Sequence, residues 1–193
     1  DSNAQWKPVG DRYPVSLGSN GFAWGIGLQP KQSGDGPHIE ERDMRTPAGL
    51  FRITGIFGYD SAEALPGLAM PYRQLREGDL CVDDPASRYY NQVIDGGTAD
   101  AHDWKSAEPM RSAGSGYELG IFFDQNPSPS LSGGGSCFFL HVGPNTGGGY
   151  GCTMLTASQV REIALWLRAQ DLPVLAQLPQ PAYSAFKGSW GLP

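Results

Sequence analysis

Glycine and proline fill more than a fifth of the chain, 27 and 16 of 193 residues, with no strict repeat. That punctuation leaves little room for long helices and points to many turns joined by short strands. The length fits one domain that buries about two-thirds of its unfolded surface, so a self-sufficient core is expected. Residues 1–4, Asp-Ser-Asn-Ala, read as an expression remnant and are set aside, with the expectation that an export signal has been removed. Residues 5–193 are expected to form a single domain.

Net charge is −6 and the chain has no basic stripe, which argues against a nucleic-acid partner. No run of eighteen apolar residues marks a transmembrane helix. The three cysteines, Cys81, Cys137 and Cys152, are an odd number, so at least one is free or pairs between chains. In an exported protein Cys81 and Cys137 are a candidate disulfide, but spacing alone leaves the pairing open. Three cysteines without a CxxC pair or a histidine cluster make a poor zinc site, and neither a metal nor an organic cofactor is expected.

Alternating or apolar short runs predict strands over residues 12–17, 23–28, 50–54, 117–124 and 137–142, with shorter extended pieces near 70–75 and 79–84. Thr46-Pro47-Ala48-Gly49 has turn chemistry. Residues 85–116 are rich in loop signals, with a short helical turn expected at 106–110. One helix is clear, over 156–170. Thr156 and Gln159 match a capping box, and Val160, Ile163, Ala164 and Leu167 recur at helical spacing. A last strand is expected near 172–176. Together these give a mostly β sandwich or barrel with one helix docked after Cys152.

The chemistry concentrates in residues 135–152, GSCFFLHVGPNTGGGYGC. His141 sits at the end of an apolar strand and Cys152 follows eleven positions later, across a loop with glycines at 147, 148, 149 and 151. Glycine tolerates positive φ and close backbone approach, so the loop can return Cys152 beside His141. A thiol attacks as thiolate. A neighbouring imidazolium lowers the thiol pKa and then delivers a proton to a leaving amine. The backbone N–H groups of Tyr150, Gly151 and Cys152 are candidates for an oxyanion hole, with Gly149 as support. A backbone carbonyl near Val142 or in the glycine loop is the candidate to orient the imidazole. Cys137, inside the apolar strand, reads as structural. The loop lacks the lysine of a phosphate-binding GxxxxGK[ST] motif.

His141 with Gly149-Tyr-Gly-Cys152 resembles the L,D-transpeptidase catalytic domain family (YkuD-like), in which a histidine strand leads through a glycine-containing loop to a [Ser/Thr]-x-Gly-Cys element. Arg45-Thr-Pro-Ala-Gly-Leu-Phe51, Phe57-Gly-Tyr59, Met70-Pro-Tyr72, Asp83-Asp-Pro85 with Tyr90-Asn91, and Lys105-Ser-Ala-Glu-Pro-Met110 resemble further pieces of one branch, in chain order. The resemblance spans roughly residues 40–168. One position departs, since Gly149 stands where the family carries Ser or Thr.

The resemblance implies a β-rich L,D-transpeptidase-like fold, an exported location in the periplasm or cell envelope, and peptidoglycan stem peptides as substrate. It implies Cys152 as nucleophile, His141 as base, an acyl-enzyme, and acylation by carbapenem-type inhibitors. Water in place of the acceptor amine would give a carboxypeptidase or amidase, and a degenerate site would leave a peptidoglycan-binding module. Arg45 is the candidate for holding a terminal carboxylate by a bidentate contact. Asp83, Asp84 and Glu108 are candidates for binding a substrate ammonium. Asn91 and Ser106 are further substrate-binding candidates, with turn capping and no more as the simpler reading.

Overall fold

The computed structural model describes residues 6–30, 36–97, 102–111, 114–144 and 148–193. Residues 1–4 and Gly147 of the glycine loop lie outside the described residues. The strands are β1 (Phe22–Trp24), β2 (Thr46–Gly58), β3 (Tyr72–Gln74), β4 (Asp79–Val82), β5 (Val93–Asp95), β6 (Ala107–Pro109), β7 (Leu119–Phe123), β8 (Phe139–Val142), β9 (Thr153–Leu155) and β10 (Val174–Gln177). Two α-helices, α1 (Ala157–Trp166) and α2 (Gln180–Phe186), and three short 3-10 helices, at Ala62–Ala64, Gly114–Tyr117 and Ala169–Asp171, complete the described elements. The chain is mostly β, and eight of the ten strands run three or four residues, as the glycine and proline content requires.

β2 organises the larger sheet. Its first half pairs with β1 in parallel and β10 antiparallel. Its second half pairs with β3 in parallel and β7 antiparallel, with a register shift between Ile53 and Gly55. A bulge of this kind bends and twists a strand, which lets one long strand serve two sets of neighbours. The path continues from β7 to β8 and then to β9, which lies parallel to β8. β5, β4 and β6 form a separate antiparallel sheet.

Side-chain alternation splits the core in two. One face of the larger sheet gathers Ile56, Leu119, Ile121, Leu140 and Leu155 against Val160 and Ala164 of α1. The other face gathers Phe57, Phe139 and Tyr117 with Leu75, Met110 and Cys81 from the side of the small sheet. Aromatic packing is close there. A Cβ at Gly120 would stand 2.1 Å from the Phe57 ring, so that position on β7 admits only glycine.

Several expectations are corrected. The turn expected at 46–49 is extended chain, the start of β2. Thr46 N–H and Gly25 N–H bond across to Gly21 and Ala48 carbonyls, and the Pro47 carbonyl accepts from the Gln177 side chain at 2.8 Å. Pro47 therefore sits where no ladder donor is needed. The helical turn expected at 106–110 is instead β6, held by pairing of Glu108 with Cys81. The strand expected at 12–17 reduces to isolated bridges at Ser16 and Gly18. The strand expected at 137–142 starts at Phe139, because Cys137 is left-handed at φ 57°.

The helix is capped as the sequence indicates, with Thr156 N–H donating to Gln159 Oε1 at 3.1 Å. It stops at Trp166 rather than 170. Leu167 turns extended, and Ala169 N–H bonds to the Ala69 carbonyl instead of continuing the helix. The last strand appears at Val174–Gln177. α2 carries no apolar stripe that the sequence makes plain. It is followed by Trp190, which with Phe186 packs edge-on to Trp24 at 6.4 and 5.8 Å. Residues 180–193 are thereby fixed against β1. Among the described residues no helix is long and apolar enough to cross a membrane.

Candidate active site

β8 and β9 bring His141 and Cys152 together. Leu140 pairs with Thr153 and His141 with Met154, so Cys152 falls level with Phe139. Side chains at one level of a parallel pair share a face, and period-two alternation puts His141 on the face of Phe139. His141 and Cys152 both line a cavity of about 560 Å³ on the side of the small sheet.

The loop before Cys152 is held from outside. Gly149 N–H donates to the Leu17 carbonyl at 2.8 Å, and Ser19 N–H donates to the Gly149 carbonyl at 2.9 Å. Ser16 and Met154 exchange both backbone bonds. Residues 16–19 thus cover the free edge of β9. Thr46 pins the next point. Its buried hydroxyl donates to the Gly151 carbonyl at 2.9 Å and accepts from Gly18 N–H at 2.7 Å. Gly151 has φ 138°, and a Cβ there would meet the Phe138 ring at 2.5 Å and the Arg45 carbonyl at 2.7 Å. Thr46→Val keeps the shape and removes both bonds. It is expected to lower stability by about 2 kcal/mol in urea melts, the cost of leaving buried polar groups unpaired.

Cys152 is half-buried and is the free cysteine, since Cys81 and Cys137 form a disulfide. The pairing that the sequence left open is therefore made. The Cys152 sulfur accepts from Phe139 N–H at 3.3 Å, and its S–H donates to the Cys137 carbonyl at 3.5 Å. His141 is buried, and its Nδ1–H faces two carbonyls, Val142 at 2.8 Å and Gly116 at 3.0 Å. Two acceptors at Nδ1 place the proton there and leave the lone pair on Nε2.

The electrostatics reverse one expectation. Burial, and then the charge of Glu108, push the Cys152 thiol up to about 12. Burial holds the His141 imidazole below its ordinary 6.5, against the pull of its two carbonyls. At neutral pH both are uncharged, a thiol and an imidazole in one cavity rather than a thiolate–imidazolium pair. Desolvation disfavours both charged forms.

The other candidates divide. Asp83 and Glu108 line the cavity. Asp84 does not. Its carboxylate accepts from Ala86 N–H at 3.0 Å and Lys105 N–H at 2.7 Å, which holds a turn. Asn91 also serves the backbone, donating to the Gln125 and Asn126 carbonyls and accepting from Cys137 N–H. Ser106 accepts from Arg42 at 2.9 Å. Arg45 is turned to the Asn20 and Phe22 carbonyls, at 3.0 and 3.3 Å, and is outside the cavity lining. Gly149 N–H is spent on Leu17, which removes it as an oxyanion donor. Tyr150 stands at the rim, 89% exposed.

Glu41, Arg42, Tyr117 and Ser136 are among the cavity residues that the sequence did not single out as site candidates. Glu41 accepts from Tyr90 and from Ser136 at 2.8 Å. Arg42 reaches Asp83 at 3.5 Å. Tyr117 donates to Glu108 at 2.7 Å and meets the His141 ring edge-on at 4.9 Å. The sequence marked Tyr117 only as the start of an expected strand and Ser136 only as part of the segment before His141, and nothing local flagged Glu41 or Arg42. Among the described residues no group of His, Cys, Asp and Glu side chains has metal-binding geometry.

The arrangement has the parts of thiol-dependent acyl transfer: a partly accessible thiol, an imidazole with a free lone pair, and a cavity with carboxylates on one wall. Comparison with family models, curated proteins and solved structures found no match to this chain.

Proposed function

We propose that the protein is a cysteine acyltransferase of the cell envelope, an L,D-transpeptidase with an L,D-transpeptidase-like fold, acting on peptidoglycan stem peptides. The observation that carries this reading is the shared cavity of Cys152 and His141, with the imidazole held by two carbonyls at Nδ1.

In this reading His141 Nε2 takes the Cys152 proton as sulfur attacks the carbonyl of an L,D-amide bond. A general base that works concertedly suits a neutral resting pair, because neither charge need exist beforehand. The N–H groups of Tyr150, Gly151 and Cys152 are candidates to receive the oxyanion, each good donor contributing about 3 kcal/mol. The imidazolium then protonates the leaving amine of the D-amino acid, and a thioester remains on Cys152. An acceptor amine attacks the thioester, returns its proton through His141 and restores the thiol. Water in the same position would make the enzyme a carboxypeptidase. The two outcomes share every step up to the thioester.

The test is intact mass after incubation with a carbapenem. The parent is expected to gain one adduct and Cys152→Ala none. A parent without adduct would remove the acyltransferase reading and leave a peptidoglycan-binding module.

A further inference from the structure

Two carbonyls face His141 Nδ1, and they differ in origin. Val142 is the next residue on β8, so its carbonyl travels with the imidazole. The other belongs to Gly116, which lies 25 residues earlier in the chain, in the 3-10 turn Gly114–Tyr117. That turn has glycine at two of its four positions, with Gly114 at φ 64°. Glycine gives a backbone its widest freedom, so a turn of this composition does not fix a carbonyl by itself. The hold has to come from outside the turn.

Tyr59 supplies it at three points. The residue directly follows β2, and its N–H donates to the Glu118 carbonyl at 3.1 Å, just past the turn. Its hydroxyl donates to the Gly114 carbonyl at 2.6 Å, at the start of the turn. The Met110 carbonyl, at 3.4 Å, is the weaker acceptor for the same proton. The Arg111 guanidinium lies over the Tyr59 ring, 4.3 Å from its centroid, and donates to the Tyr59 carbonyl at 2.8 Å. One residue thus grips both ends of the turn and the chain leading into it. Gly58 permits the close approach, because a Cβ there would stand 2.7 Å from the Glu118 carbonyl. The ring packs on the core of Phe57, Met110 and Tyr117, so the hydroxyl is carried on an anchored group. Tyr59 itself is outside the cavity lining.

We propose that Tyr59 is a positioning residue for acyl transfer: by holding the Gly114 carbonyl, its hydroxyl fixes the Gly116 carbonyl against His141 Nδ1 and so keeps Nε2 free as the base. This rests on His141 as the base of Cys152. Tyr59 acts only through the turn. Without its hydroxyl the Gly116 carbonyl loses an anchor, and the Nδ1–H is left with the Val142 carbonyl alone. The neutral imidazole then spends more time with its proton on Nε2, where it cannot accept from the thiol.

The experiment is 15N NMR of the His141 side chain at pH 7.5, where burial keeps the imidazole neutral, with His141→Gln identifying its signals. Tyr59→Phe keeps the ring and its packing and removes the hydroxyl. It is expected to show a larger share of the Nε2–H tautomer than the parent, and to slow carbapenem acylation of Cys152 roughly tenfold, the scale of one hydrogen bond. Tyr72→Phe is the control. It too loses a tyrosine hydroxyl bonded to a backbone carbonyl, that of Asp60 at 2.7 Å, but the bond is to no part of the turn. It is expected to keep the parent tautomer and the parent acylation rate. An unchanged tautomer in Tyr59→Phe, an equal change in Tyr72→Phe, or a parent acylation rate in Tyr59→Phe would overturn the proposal. If Tyr59→Phe does not fold, Arg111→Gln, which removes the guanidinium from the same ring, is read in its place. The tautomer is measured without acylation. A parent that gains no carbapenem adduct would remove the acyl-transfer reading, and the tautomer comparison would still decide whether Tyr59 holds His141.

Discussion

His141→Gln is expected to slow carbapenem acylation of Cys152 on the order of a thousandfold at pH 7.5, the scale of a lost general base. The pH dependence distinguishes a base from a merely structural histidine. The imidazole must be neutral to accept the thiol proton, and burial holds its pKa below 6.5. Acylation of the parent should therefore stay flat from neutral into the alkaline range and fall only as pH drops below 6.5 through the imidazole pKa. The thiol, pushed up to about 12, adds no alkaline limb below that value. In His141→Gln the only route to thiolate is direct ionisation. Its rate should climb about tenfold per pH unit across the alkaline range. Stopped-flow or quenched mass spectrometry of the adduct gives both profiles. A bell-shaped parent profile centred near neutrality would instead mean a thiolate–imidazolium pair, and the neutral resting state described above would be wrong.

The placement of His141 and Cys152 in one cavity was legible because one local event builds it. An apolar run ending in histidine, a glycine loop and a cysteine become two adjacent parallel strands, so sequence neighbours remain spatial neighbours. The capping box of α1 was legible for the same reason, since Thr156 and Gln159 are one turn apart. The acidic wall was not. Glu41 is separated from Tyr90 by 49 residues and from Ser136 by 95, and no periodicity links positions so distant. Asp83 and Asp84 show the limit at the finest scale. Composition treats the two carboxylates alike, but one reaches the cavity while its neighbour holds the turn at residues 86 and 105. Arg45 stands out in the sequence because it opens the recognisable Thr-Pro-Ala-Gly segment, and Arg42 carries no such mark. Its guanidinium is used in holding that segment to Asn20 and Phe22.

Replacing both Cys81 and Cys137 by Ala is expected to cost about 4 kcal/mol, because the cross-link closes a loop over a separation of 56 residues in the unfolded chain. For a chain of this size that is a fall of about 10 °C in Tm. The effect should reach the site as well. Cys137 is left-handed at φ 57°, its N–H is held by Asn91 at 2.9 Å, and its carbonyl accepts the Cys152 S–H. The cross-link ties this unusual residue to β4, whose Cys81 is buried and paired with Glu108. Without the link, the carbonyl that orients the thiol and β4, the strand against which Glu108 pairs, lose a covalent constraint. Carbapenem acylation should therefore slow even at temperatures where the variant remains folded, and a reductant acting on the parent should reproduce the loss. Urea melts and acylation rates measured on the same samples separate the two effects. A variant with an unchanged melt would show that the unfolded chain gains nothing from the cross-link. A variant that melts earlier but acylates at the parent rate would show that the Cys137 carbonyl is held by Asn91 and the surrounding core alone.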